Sequence, residues 1–233
     1  MEDRGEESRR FDDVIRRVAA WCGVLALVFV AGCATCEPRP NLGLYKSQLV
    51  EWHDSGGYEK CFAQTAAKTG GGLKMAIALQ KAGGKPAIVL DIDETSLSNW
   101  PYMVNVGFDI KEDTFTSWTA TGDGIPLKPI LSLYQRAVAA GVAVFFITGR
   151  QEVLRANTEK ELRNAGFAKW DGLYMRPPGY QERSMIPYKS GARKAIEGQG
   201  YRVVLNVGDQ FSDLEGGYAE RAVKLPNPFY FVP

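Results

Sequence analysis

Six side chains in this 233-residue chain have the types and spacing to handle a phosphoryl group and a hard cation. Asp91 and Asp93 stand one residue apart at the end of the apolar run Ile88-Val89-Leu90, and Asp209 and Asp213 follow a second such run, Val203 to Val207. Thr148 ends a third, VAVFFIT, and Lys189 lies between the last two groups. Mg2+ takes oxygen ligands in an octahedron and keeps several waters, so two carboxylates and a carbonyl suffice to hold it. Clustered carboxylates repel one another and would in part protonate without a cation. A metal and Lys189 would offset that charge and, with phosphate bound, neutralise the oxygens of a phosphoryl group in transfer.

Each residue alone has a plainer role, since Asp and Thr cap helices and Lys is common on surfaces. What gives them weight is their common placement at the ends of buried strands. Apolar runs without polar alternation, separated by amphipathic stretches, are the pattern of parallel strands joined by helical crossovers. In open sheets of that kind ligands sit beyond the carboxyl ends of the strands. The expected fold class is therefore α/β, a Rossmann-like three-layer α/β/α arrangement with a mainly parallel sheet. Helices are expected over Pro129–Ala140, Glu152–Ala165 and Tyr188–Glu197, with shorter strands at Gly172–Met175 and Ala222–Leu225. Pro226-Asn227-Pro228 is expected to end regular structure.

Two segments fall outside that alternation. Residues 44–81 carry a helical pattern interrupted at Gly70-Gly71-Gly72, which predicts two helices forming a small N-terminal cover. Residues 95–127 follow the first strand with no regular period, and hold Trp100, Tyr102, Phe108, Phe115 and Trp118. They read as a short cap insertion, with Trp100 and Tyr102 either lining a pocket, to stack on an aromatic leaving group or nucleobase, or packing as core of the insertion itself. Phe211 reads as a packing residue, and His53, the one histidine, as an ordinary helix residue.

Composition sets the remaining bounds. With 45% hydrophobic and 24% charged residues the chain is ordinary globular material. The near balance of 28 basic against 27 acidic residues, with no basic stripe, argues against nucleic acid as a partner. A single histidine argues against histidine catalysis or a multi-histidine metal site. The N-terminus begins with a charged stretch and continues in the apolar run of residues 18–31, about 14 long and short of the roughly 20 a spanning helix needs. Residues 1–32 read as a signal peptide. Val30-Ala31-Gly32-Cys33 resembles a bacterial lipobox, in which Cys33 is lipidated, so the expected product is exported and membrane-anchored. Residues 33–43 would be a tether, leaving Cys36 and Cys61 as two thiols able to pair or stay free.

The motifs DIDET (91–95), ITGR (147–150), Lys189 and GDQFSD (208–213) resemble the four motifs of the haloacid dehalogenase superfamily. DIDETSLSN followed by PY, YKSGAR and GDQFSDLEGG resemble its acid phosphatase branch, the class C or DDDD acid phosphatases, together with the related plant vegetative storage proteins. The likeness covers residues 44–233. It implies a Mg2+-dependent hydrolase of phosphate monoesters that works through an aspartyl-phosphate. Asp91 would be the nucleophile and Asp93 the acid and base. Thr148, with Gly149 and Arg150, would hold the phosphate, and Lys189 would stabilise Asp91 and the transferred group. The cation would lie on the carboxylate of Asp91, the main-chain carbonyl of Asp93 and Asp209, with Asp213 near it. A storage or binding protein on the same fold is the alternative, since storage relatives can lose the nucleophile, which is intact here. A signalling receiver domain uses a similar residue set, but its phosphorylated aspartate follows a later strand and it lacks the late GDxxxD.

Overall fold

The computed structural model describes residues 41–233. The expected signal peptide, the lipidation site at Cys33, most of the tether and Cys36 lie outside the described residues. Cys61 is a free thiol.

At the centre of the sheet is β1 (Pro86–Leu90), every residue of which is buried. Ala87 and Val89 point to one face and Ile88 and Leu90 to the other, each pair joining a separate hydrophobic cluster. This double burial explains why the strand shows no polar alternation. It pairs in parallel with β4 (Ala143–Gln151) on one side and β6 (Arg202–Gly208) on the other. Beyond these lie β5 (Gly172–Arg176) and β7 (Ala222–Lys224), giving the all-parallel order β5-β4-β1-β6-β7. The chain leaves β1 toward β4 and β5, then returns across it to β6 and β7. Strand order therefore reverses at β1, and such a switch point opens a crevice at the carboxyl ends of the strands.

Helices cover both faces. Ala192 and Ile196 of α8 (Ile186–Gly198) pack on Ala87, Val89 and Phe145. The other face carries α2 (Gly57–Ala66), α3 (Thr69–Lys81), α6 (Lys128–Ala139) and α7 (Arg155–Asn164), whose Phe62, Leu73, Leu133 and Leu162 surround Ile88, Leu90 and Phe146. A wholly buried phenylalanine such as Phe146 contributes about 2–3 kcal/mol by leaving water. A 3-10 turn, Glu152–Leu154, precedes α7, so the helix expected from Glu152 is a turn followed by a helix.

The N-terminal cover differs from expectation in two ways. It has three helices, because α1 (Leu42–Asp54) is separate from α2 and breaks fall at Ser55-Gly56 and Ala67-Lys68. The glycine triplet does not interrupt a helix but forms the first turn of α3. A Cβ on Gly72 would come within 2.9 Å of the Leu205 side chain, so glycine here permits close approach to β6. The insertion after β1 is likewise more regular than its sequence suggests. A two-stranded ribbon, β2 (Leu97–Ser98) with β3 (Ile125–Pro126), closes it at the base, and between them stand α4 (Trp100–Asn105) and α5 (Glu112–Thr121).

Candidate active site

Just past β1 the backbone folds back on itself, with Ile92 C=O accepting from the N–H groups of Ser96 and Leu97, both at 2.8 Å. Glu94 takes φ +54° in this turn, a left-handed conformation costing on the order of 1–2 kcal/mol for a residue with a Cβ. The Glu94 carboxylate offsets that strain by accepting from Asn99 N–H at 2.6 Å, Asn99 Nδ2 at 3.1 Å and Tyr230 OH at 2.9 Å. Burial, and then the charge of Asp93, push its carboxyl up to about 8 against the pull of Asn99.

The turn delivers Asp91 and Asp93 in opposite senses. Asp91 is buried with Asp209 and Asp213, and one oxygen from each of the three lies within 4.8 Å of the others. Lys189 Nζ donates to Asp91 Oδ1 at 2.8 Å and also to Asp213 Oδ1. Asp93 instead turns to Arg150, whose Nε donates to both its oxygens at 3.1 Å and whose second NH2 donates to Oδ1 at 2.7 Å. Asn99 Nδ2 adds a further bond to Asp93 at 2.9 Å. The two aspartates thus belong to different networks although one residue separates them.

Asp209 and Asp213 are held from the far side. Thr95 Oγ1 donates to Asp209 Oδ1 at 3.1 Å, and Gln210 Nε2 and Asn227 Nδ2 donate to Oδ2 at 2.6 and 2.7 Å. Asp213 sits in the short helix α9 (Phe211–Leu214), where its Oδ2 accepts the Gln210 N–H at 2.8 Å in a reciprocal capping box.

This electrostatic arrangement disfavours three bare carboxylates. Burial and the neighbouring Asp213 raise Asp91 well above the ordinary carboxylate range, with Lys189 opposing. Burial and Asp213 likewise raise Asp209 to about 6, although Asn227 pulls it down. Burial alone would lower the Lys189 ammonium, but Asp213 and Asp91 outweigh it, so Lys189 stays charged. Three buried oxygen donors, short of positive charge with one lysine among them, are a donor set suited to a hard divalent cation.

Asp91, Asp93, Lys189 and Asp209 form the polar wall of a cavity of about 360 Å3, whose apolar wall is Ile110, Phe115, Met185 and Phe231. Gly149 and Arg150 also line it, while Thr148, wholly buried, does not; its Oγ1 accepts the Arg150 N–H at 3.1 Å. Arg150 differs from its expected place as a phosphate ligand, because its guanidinium is wholly buried between Asp93 and Glu161. A larger cavity of about 710 Å3 opens at the opposite edge of the sheet, by Lys85, Pro86 and Ala143, and has none of these carboxylates.

Trp100 and Tyr102 do not line the carboxylate cavity. Helix α4 turns Trp100 toward α1, where it stacks on His53 at 3.6 Å and borders a separate cavity of about 250 Å3 with Tyr58 and Phe62. Tyr102 is buried against Phe115 and Trp118, with its hydroxyl paired to Thr114 at 2.8 Å. The insertion contributes Ile110, Glu112 and Phe115 to the cavity instead. Phe211 is exposed beneath the Lys224 ammonium rather than packed.

Several site residues were not singled out from sequence: Glu94, Asn99, Glu161, and the C-terminal segment. The last residues form a strap over the site, with Val232 N–H donating to Gln210 Oε1 at 3.1 Å and the Pro233 carbonyl accepting Met185 N–H at 2.7 Å. Residues 94–96, 98 and 99 are polar yet wholly or almost wholly buried, a burial legible only in the fold.

Comparison with known proteins agrees with this geometry. Residues 46–233 match the family model described as HAD superfamily, subfamily IIIB (Acid phosphatase). The chain is 39% identical over 153 residues to Acid phosphatase 1 of Solanum lycopersicum, covering 64% of this chain and 60% of that protein. It is 34% identical over 149 residues to Vegetative storage protein 1 of Arabidopsis thaliana, covering 62% and 55%. The chain thus spans about three fifths or less of the length of these curated relatives. Among solved structures, the class C acid phosphatase from Bacillus anthracis superposes with a TM-score of 0.65 over 82% of this chain and 86% of that one; at 23% identity this is a likeness of fold.

Proposed function

The chain belongs to subfamily IIIB of the HAD superfamily, the acid phosphatases, and from that membership we propose that it hydrolyses phosphate monoesters with Mg2+, the phosphoryl group passing through Asp91. The observation that carries the proposal is the division of labour in the turn after β1: Asp91 faces Lys189 and two further carboxylates, while Asp93 is fixed separately by Arg150 and Asn99.

In the first step an Asp91 oxygen attacks phosphorus, the phosphorus–ester oxygen bond breaks, and Asp93 donates its proton to the leaving oxygen. In the second, water attacks the aspartyl-phosphate while Asp93 takes its proton, the Asp91–phosphorus bond breaks, and phosphate leaves. Lys189 stays charged beside Asp91 and neutralises oxygens of the transferred group. Asp91, Asp209 and Asp213, with the Asp93 carbonyl, would hold Mg2+, which when bound supplies positive charge against the phosphoryl oxygens. Gly149, near the carboxyl end of β4, lines the cavity and is assigned to the phosphate side, while Thr148, buried beneath it, anchors the Arg150 N–H.

Purified protein is expected to release phosphate from an aryl phosphate at acidic pH and to lose that activity to a chelator, with recovery on Mg2+ addition. A preparation active in chelator would refute the metal role, and one inactive on aryl phosphates, nucleotides and sugar phosphates would favour the storage reading that resemblance to vegetative storage proteins leaves standing.

Metal and protons compete for the same oxygens. Because the folded Asp209 carboxyl lies near 6, above its ordinary value, the folded state binds the extra proton. Stability of the metal-free protein therefore falls as pH rises from about 4 to about 6, by on the order of 2–3 kcal/mol from this group. Mg2+ should raise the Tm strongly at pH near 7 and little near 5. A Tm increment equal at both values would argue against these carboxylates as the site.

The exported, lipid-anchored state at Cys33 remains part of the proposal, supported by the apolar run and the small residues before the cysteine. Incorporation of labelled fatty acid, lost in Cys33→Ser, tests it.

A further inference from the structure

The Glu161 side chain is wholly buried on α7, sixty-eight positions along the chain from Asp93, and it uses its two oxygens in different directions. Oε2 accepts from Arg150 NH1, while Oε1 accepts the backbone N–H of Gly124, in the insertion, at 2.8 Å. Arg150 is equally buried, and its opposite edge holds Asp93 with distances of 2.7–3.1 Å. Thr158 Oγ1, one turn before Glu161, accepts from the same NH1 at 3.4 Å. The insertion, Glu161, Arg150 and Asp93 therefore form one continuous chain of bonds.

Two features make this chain stiff. A Cβ on Gly124 would come within 2.5 Å of Glu161 Oε1, so the insertion backbone rests directly on the carboxylate. The guanidinium is planar, so fixing NH1 on Glu161 fixes the plane in which Nε and NH2 meet Asp93. A buried ion pair adds little net stability over an apolar pair of equal volume. Its definite contribution is geometry.

We infer that Glu161 is a positioning residue for proton transfer: through Arg150 it holds the Asp93 carboxyl in the orientation that meets the ester oxygen, and through Gly124 it ties that orientation to the seating of the insertion. This rests on the reading of Asp93 as acid and base. A proton donor that can rotate away from its acceptor loses much of the rate gained from alignment.

The leaving group separates this role from a merely structural one. A nitrophenolate leaves without much help from a proton, whereas an alkoxide needs it, so a misaligned donor slows alkyl phosphates selectively. In Glu161→Gln the amide keeps the volume but has a single acceptor oxygen, so its NH2 faces either the Arg150 guanidinium or the Gly124 N–H, donor against donor. Its kcat/KM, which reports phosphoryl transfer and not hydrolysis of the common aspartyl-phosphate, is expected to fall by about 10- to 100-fold on an alkyl phosphate and by less than about 3-fold on nitrophenyl phosphate, lowering the ratio of the two. Gly124→Ala, which presses on Glu161 without removing charge, should shift the same ratio in the same direction by a smaller factor. Glu161→Asp should recover part of the loss. An equal loss of kcat/KM on both esters in folded Glu161→Gln, or no loss, overturns the inference. Should that variant fail to fold, an unchanged ratio in Gly124→Ala overturns it. Asp93→Asn serves as the reference: if it leaves the ratio of alkyl to aryl kcat/KM unchanged, the assignment of Asp93 itself fails. If it lowers the ratio and Glu161→Gln does not, only the positioning role fails.

Discussion

Asp91→Asn is expected to reduce phosphate release by on the order of 10^4-fold or more, the scale on which removing a nucleophile disables a hydrolase. The substitution keeps the volume and one acceptor oxygen for Lys189, so the loss is chemical. Its effect on stability should have the opposite sign. Burial and Asp213 hold the folded Asp91 carboxyl above its ordinary range, which means that ionising it in the metal-free fold is unfavourable. A folded group raised in this way stabilises the protein when protonated and loses that contribution as pH rises from its unfolded value up to its folded one. A neutral Asn avoids the loss, so metal-free Asp91→Asn should match or exceed the parent in Tm near pH 7. With Mg2+ present the order should reverse, because one of three carboxylates is gone. Asp93→Asn provides the contrast: it should lose turnover yet keep the Mg2+-induced rise in Tm, since the Asp93 carboxylate is engaged by Arg150 and Asn99. Paired measurements of phosphate release and Tm, with and without Mg2+, separate the two aspartates. A folded Asp91→Asn retaining more than about one hundredth of the activity would remove Asp91 from the role of nucleophile.

The legible part of this molecule is the part set by local pattern. β1, β4 and β6 are apolar because each is covered on both sides, and that leaves a periodicity signal in sequence. A polar residue at the end of such a strand is then assigned to the sheet edge without further information, which is how Asp91, Thr148 and Asp209 were located. The direction of Trp100 was not legible. It opens the six-residue helix α4 and stacks on His53 rather than facing the carboxylates, and neither ring carries a mark that it will meet the other. Arg150 shows the same limit more sharply. At a strand end beside a phosphate site it reads as an anion ligand, and only the tertiary position of Glu161, on the next helix, makes it a brace for Asp93. Glu94 and the C-terminal strap meet through Tyr230, across 136 positions of the chain. Such pairs leave no trace in spacing.

On the proposed mechanism stability and catalysis both depend on Lys189, and Lys189→Met tests both. The ammonium is buried and donates to Asp91 and Asp213, and among the described residues it is the one lysine lining the carboxylate cavity. Methionine fills similar volume but leaves Asp91, Asp209 and Asp213 facing one another. Removing one partner of a buried pair costs about 3–5 kcal/mol, because the remaining charge is left uncompensated. The cost here should depend on pH through the carboxylates, since Lys189 itself is charged over the whole accessible range. Near pH 5 Asp91 and Asp209, both raised, can protonate and relieve the repulsion, so the loss should be smaller than near pH 8. Mg2+ should restore part of the stability at the higher pH by supplying the missing positive charge. It should not restore turnover, which is expected to stay down by about 10^2- to 10^3-fold, because the lysine acts on the transferred group from a different side chain position than the carboxylate-bound cation. Urea unfolding at the two pH values and phosphate release with saturating Mg2+ measure the two effects. Parent-like activity in a folded Lys189→Met would show that charge at this position serves the carboxylates alone. Parent-like stability at pH 8 would show that the carboxylates do not need it.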